Sequence, residues 1–201
     1  MNKSLSLIIS SVFHPVFVNL MGLLSLFVLS PYLRLGVNEN AKLFYILFIF
    51  ISAGIVPVVM VLFLNMLGKV QSVLLEVQEE RNIPYLITAS IYLIDYYFLS
   101  QSQHTPALIR AYVLACACIV VAVVIVNHFY KISVHGASLG ALTGVVISTS
   151  FFSTIDIRYL LAGVFIISGI TLSARLFLFA HTFGQVISGW LLGFVIIYTI
   201  L

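Results

Sequence analysis

Arg175 and His181 enclose five residues near the C-terminal end of the chain, and Gln185 follows four positions later. Upstream, Ser133-Val134-His135 opens an apolar run with glycines at 136, 140 and 144. These residue types suit the handling of a phosphoryl group. A guanidinium binds phosphate oxygens in a planar fork. An imidazole, with a reference pKa of about 6.5, is neutral and nucleophilic near pH 7. Gln185 lies one turn beyond His181 if the last helix begins there, so its amide oxygen can accept the Nδ1–H and present Nε2. Glycines four apart let a neighbouring helix approach closely, and a helix start at His135 would bare N–H groups favourable to an anion.

The elements that must position these groups are membrane helices. The chain is 62% apolar and 7% charged, with a mean hydropathy of +1.21. A soluble domain carries about 25% charged residues. So few charges cannot cover a water-soluble particle, and ionisable groups that persist in such a chain mark function. The net charge of +3 contains no dense basic patch, so no nucleic-acid partner is expected. Cys116 and Cys118 are two apart on different faces of a helix, which disfavours a disulfide or a metal site.

About 20 apolar residues cross a bilayer, and the sequence divides into spans at 16–33, 43–67, 85–99, 107–127, 137–152, 157–173 and 182–201. The expected fold is all-α: one integral membrane domain over 1–201, a bundle of six or seven spans. Residues 1–11 lack a small-residue cleavage signature, which favours a retained first helix. Pro15 suits a helix start, with His14 beside it as a cap or interfacial residue. If the chain crosses at every span, the loop 68–84, the link 128–136 and the turn 175–181 fall on one face. Three segments can then meet in one pocket. That face carries Lys3, Lys69, Arg81, Lys131 and Arg175, against Arg34, Lys42, Arg110 and Arg158 opposite. Setting Arg81, Lys131 and Arg175 aside as site residues makes the opposite face cytoplasmic and the site periplasmic-type.

The Ser-x-His and Arg-x5-His elements together resemble the type 2 phosphatidic acid phosphatase superfamily (PAP2). The string His181-Thr182-x-x-Gln185-Val186-x-x-Gly189 is similar to its dolichyl-diphosphatase branch, where glutamine is usual at the position that holds aspartate elsewhere. The resemblance covers 79–193. It implies a PAP2-like core and a lipid phosphatase of an inner membrane acting on an isoprenoid diphosphate or phosphatidate-type lipid. His181 would be the nucleophile that forms a phosphohistidine and His135 the acid for the leaving oxygen. Gln185 would orient His181, and Ser133 and Arg175 would hold phosphate, without metal or other cofactor. Lys131 reads equally as a further cation or an interfacial anchor.

The family's first motif, lysine, six residues, then Arg-Pro, has a looser counterpart in Glu79-Glu80-Arg81-Asn82-Ile83-Pro84. Arg81 matches the arginine, while Leu74 stands at the lysine position. Glu76, Glu79 and Glu80 either face water or brace Arg81 and Arg175 by ion pairs. A second function class follows from these departures: a PAP2-like protein that binds or transports lipid phosphates without turnover. Asp95 and Arg110, at similar depth on either side of a short link, are expected to pair with each other. The Gly-x3-Gly faces leave both an internal helix contact and a homodimer open.

Overall fold

A computed structural model describes residues 2–73, 75 and 77–201. Leu74 and Glu76, both named above, lie outside the described residues. The fold is all-α, and among the described residues no strand occurs. Each of the seven expected segments is helical. Helix α1 (Lys3–Val12) meets α2 (Pro15–Leu29) at a 44° bend. Short α3 (Pro31–Gly36) follows, then α4 (Glu39–Ile49), a π-helical stretch (Phe50–Ile55) and α5 (Val56–Met66). A 3₁₀ turn (Glu79–Arg81) leads into α6 (Asn82–Gln101), α7 (Ala107–Phe129), α8 (Val134–Ser150), α9 (Arg158–Phe177) and α10 (Phe183–Ile200).

Four helical stretches are long and apolar enough to cross a membrane: Glu39–Met66, Ala107–Phe129, Arg158–Phe177 and Phe183–Ile200. Taking the bent α1–α2 pair as one span makes five. The outer surface agrees. Leu43, Phe63, Phe98, Ile125, Ile166 and Val195 all point outward from the bundle. In α1 the polarity is inverted, with Ser6 and Ser10 buried while Leu5, Ile8 and Val12 are exposed. Water would penalise such a surface, and lipid tails would not.

Prolines set the breaks. Pro15 forces His14 into extended backbone, and the His14 Nδ1 accepts the Val16 N–H at 3.4 Å to cap α2. Pro31 ends α2 early by the same logic, with Ser30 capping α3. The first expected span, 16–33, is therefore cut at Leu29 and preceded by a helix that the span rule left out. Pro57 lacks the N–H that Ala53 would otherwise receive, and the helix passes this point through the π-helical widening.

The tightest packing is between α8 and α10. A Cβ on Gly140 would land on the Trp190 carbonyl, and one on Gly193 on the Ala137 carbonyl. The two backbones are in direct contact, which only glycine permits. The Gly-x3-Gly face of α8 is thus filled by α10 of the same chain.

The expected Asp95–Arg110 pair does not form. Among the described residues the ion pairs are Lys42–Glu39 and Arg158–Asp156. Asp95 is buried and meets the Ser52 hydroxyl at 2.6 Å, in the π-helical stretch. A nearby polar group on a facing helix satisfied the acid without drawing in a long arginine.

Candidate active site

A cavity of about 900 Å³ opens at one end of the bundle. Lys3, Arg81, Lys131 and Arg175 line it, together with His14, His135 and His181. Residues from all three segments, 68–84, 128–136 and 175–181, line this one cavity.

Arg175 and His181 are joined by a turn that explains their spacing. Helix α9 ends at Phe177, and Phe179 takes a left-handed φ of 53°. The Ala180 N–H then returns to the Arg175 carbonyl at 3.2 Å, as in helix ends usually closed by glycine. Five intervening residues suffice to fold the chain back, so both side chains reach the same cavity.

Thr182 starts α10 with a capping box: its hydroxyl accepts the Gln185 N–H, and the Gln185 Oε1 accepts the Thr182 N–H at 3.1 Å. The same oxygen lies 3.2 Å from the His181 Nδ1. A backbone N–H can only donate, so the capping box fixes which end of the amide faces His181. Nδ1 therefore carries the proton and Nε2 keeps its lone pair. His181 is 9% exposed. Burial, then the charges of Arg81 and Arg175, and more weakly Lys131, push its pKa down to about 4, against the opposing pull of the Gln185 hydrogen bond. The ring is neutral at pH 7.

His135 stands in the first turn of α8, with Nε2 3.1 Å from the Ser10 carbonyl. A carbonyl only accepts, so Nε2 bears hydrogen and Nδ1 is the atom left to exchange a proton. The His14 ring meets it edge-on, centroids 5.8 Å apart. The charge of Arg175 acts on both His135 and His181.

Arg81 is buried, 4% exposed, and its Nε donates to the Leu75 carbonyl at 2.6 Å. Its turn is fastened to the end of α7: Gln78 Nε2 donates to the Asn127 carbonyl at 2.6 Å, and Asn127 Nδ2 to the Gln78 carbonyl at 3.1 Å and Asn82 Oδ1 at 3.0 Å. Among the described residues Arg81 is thus braced by that carbonyl and by the Tyr85 side chain. Glu80 instead accepts the Gln71 N–H at 3.0 Å.

Ser133 departs from its expected role. It is fully buried and absent from the cavity wall, and its hydroxyl accepts the Gly136 N–H at 3.2 Å to cap α8. A serine before a helix start serves the backbone first. Sequence reasoning also missed Lys3, Ser10 and the inward turn of His14. The His14-Pro15 pair was the available signal, because a proline-initiated helix directs its capping residue across the break.

Compared with known proteins, the chain matches no protein-family model, no curated protein and no solved structure.

Proposed function

We propose that this chain is a membrane lipid phosphatase that cleaves an isoprenoid diphosphate or phosphatidate-type lipid through a phosphohistidine. The observation that carries the reading is the meeting of Arg175, His181 and His135 on one cavity. Phosphoryl transfer asks a protein mainly for positioning and charge. Arg81, Arg175 and Lys131 supply cations for the phosphoryl oxygens. His181 Nε2 attacks phosphorus, the P–N bond forms, and the P–O bond to the lipid or its phosphate breaks. Burial and the Arg175 charge hold His135 neutral in the free protein, so the ring must gain a proton beside the bound phosphate anion before its Nδ1 can pass one to the departing oxygen. Water then attacks the phosphohistidine, giving its proton to His135 and returning His181 to its neutral form with release of phosphate. Gln185 holds the His181 ring throughout.

The same reading counts α6 and α8 as spans, which makes seven crossings with α1–α2 as one. It turns the cavity toward the periplasmic-type face of an inner membrane, leaving Arg34, Lys42, Arg110 and Arg158 on the cytoplasmic face. A second reading, binding or transport of lipid phosphates without turnover, is favoured by one feature: Gln185 orients His181 but cannot neutralise the cation that phosphorylation creates. Phosphate release from a panel of lipid phosphates by the purified protein separates the two. Release that His181→Ala abolishes supports the enzyme, while tight binding without release by the wild type supports the carrier.

A further inference from the structure

The charged groups occupy only the mouth of the cavity. Below them its walls are mostly apolar, interrupted by Asn19, Thr88 and Ser138, and run deep into the bundle. On α7 the wall follows a single helix face through Val123, Val120, Ile119 and Cys116 to Tyr112. On α8 it runs from Val134 through Ala137, Ala141 and Leu142 to Val145. Each stretch is about 16 Å long at about 1.5 Å per residue. The other helices stop at the same level: the deepest wall residues are Gly22 on α2, Ala53 on the π-helical stretch and Tyr92 on α6.

A closed floor lies there. The Tyr112 hydroxyl donates to Asn19 on α2, and a Cβ on Gly22 would come within 2.8 Å of that hydroxyl. Tyr112 is buried and spans the gap from α7 to α2. Above this floor the side is thinly walled. Helix α5 buries none of its residues, and Val58 and Leu62, which line the cavity, are both exposed. A chain can enter sideways from the bilayer past α5.

We propose that the cavity holds an amphiphile with an anionic head at the Arg81–Arg175 end and one extended apolar chain of limited length, with Tyr112 across Gly22 as the stop. A chain of single bonds advances about 1.2 Å per bond, as an extended polypeptide does at about 3.6 Å per residue. The stop is therefore reached at about a dozen carbons, and longer chains must leave the cavity past α5. Only the charged end of this inference rests on the function proposed above.

Photo-crosslinking in nanodiscs tests the depth directly. The probes are n-alkyl phosphates with a terminal diazirine, at 8, 12 and 18 carbons, and the matching n-alkanols; labelled residues are mapped by mass spectrometry. The 8-carbon phosphate is expected to label Cys116 and Ala141, the 12-carbon one Tyr112 and Gly22, and the 18-carbon one lipid-facing residues of α5. Ala141→Phe fills the cavity above the floor and should cut Tyr112 labelling by the 12-carbon probe at least tenfold. Alkanols that show the same length dependence while phosphates show none would remove the anionic head and the phosphatase reading but keep the measured depth. Labelling of Tyr112 that is independent of chain length, or absent with every probe, overturns the inference, whether or not Ala141→Phe folds.

Discussion

The Ser133 backbone N–H donates to the Gln185 carbonyl at 3.1 Å, tying the first turn of α8 to the first turn of α10. One hydrogen bond thus holds the element that carries His135 against the element that orients His181. Below it the glycine contacts of Gly140 and Gly193 keep the same two helices in register.

Breaking the joint should therefore be costly. Gly193→Val drives a side chain into the Ala137 carbonyl, and backbones yield less readily than side-chain tips. Overpacking of this kind costs about 1–3 kcal/mol or more. Thermal unfolding in detergent should show a clear loss of stability for Gly193→Val. Gly163→Ala, where a Cβ meets nothing within 4 Å, should show none.

The nucleophile and its orienter should differ in kind. His181→Ala removes the bond-forming atom and should abolish phosphate release with the fold intact. Gln185→Ala removes orientation and should cost about a hundredfold, the scale of one positioning or general acid–base effect. Gln185→Asp should keep or raise activity by balancing the imidazole's positive charge. No release from wild type or from the aspartate variant, on any lipid phosphate, would leave the carrier reading in place.

The pH dependence follows from the direction of the His181 shift. Its folded pKa, about 4, lies below the ordinary value of 6.5. Between those values the unfolded chain binds more protons than the folded one, so His181 makes stability rise with pH through that window. In the free protein the nucleophile stays neutral well below pH 6. The acid limb of kcat/KM should therefore fall nearer pH 4 than 6.5, and an imidazole resonance that titrates at 6.5 in the wild type and is missing from the His181→Ala spectrum would contradict the burial seen here.

Asp95 offers a test inside the bundle. Ser52→Ala leaves its buried carboxyl without that partner, which costs about 1–3 kcal/mol. Arg110→Gln removes no ion pair to Asp95 and should change stability by no more than about 0.5 kcal/mol. Equal losses in chemical denaturation would restore the Asp95–Arg110 pairing.

Orientation is open to labelling in intact cells. Phe179, 95% exposed in the turn beside the site, and Tyr159, 86% exposed at the start of α9, lie at opposite ends of one helix. A membrane-impermeant maleimide should label Phe179→Cys from outside and Tyr159→Cys only after permeabilisation. The reverse pattern would place the cavity on the cytoplasmic face.

The sequence alone determined that this is an all-helical chain rich in membrane-length apolar helices. Hydropathy and helix length are local properties, and a bilayer's thickness turns them into a count of residues. It also determined the His181–Gln185 contact, because a four-residue step along a helix start leaves the two side chains few ways to miss each other. The tertiary structure decided what depended on a neighbour from elsewhere in the chain. Ser133 turned to its own helix start. Asp95 took Ser52 from the π-helical stretch ahead of Pro57, and His135 took a carbonyl from α1. The glycines of α8 met α10 and left that face no room for a second chain. The stop at Tyr112 exists only because α7 and α2 come together at Gly22, and nothing in the spacing of residues along either helix records that meeting.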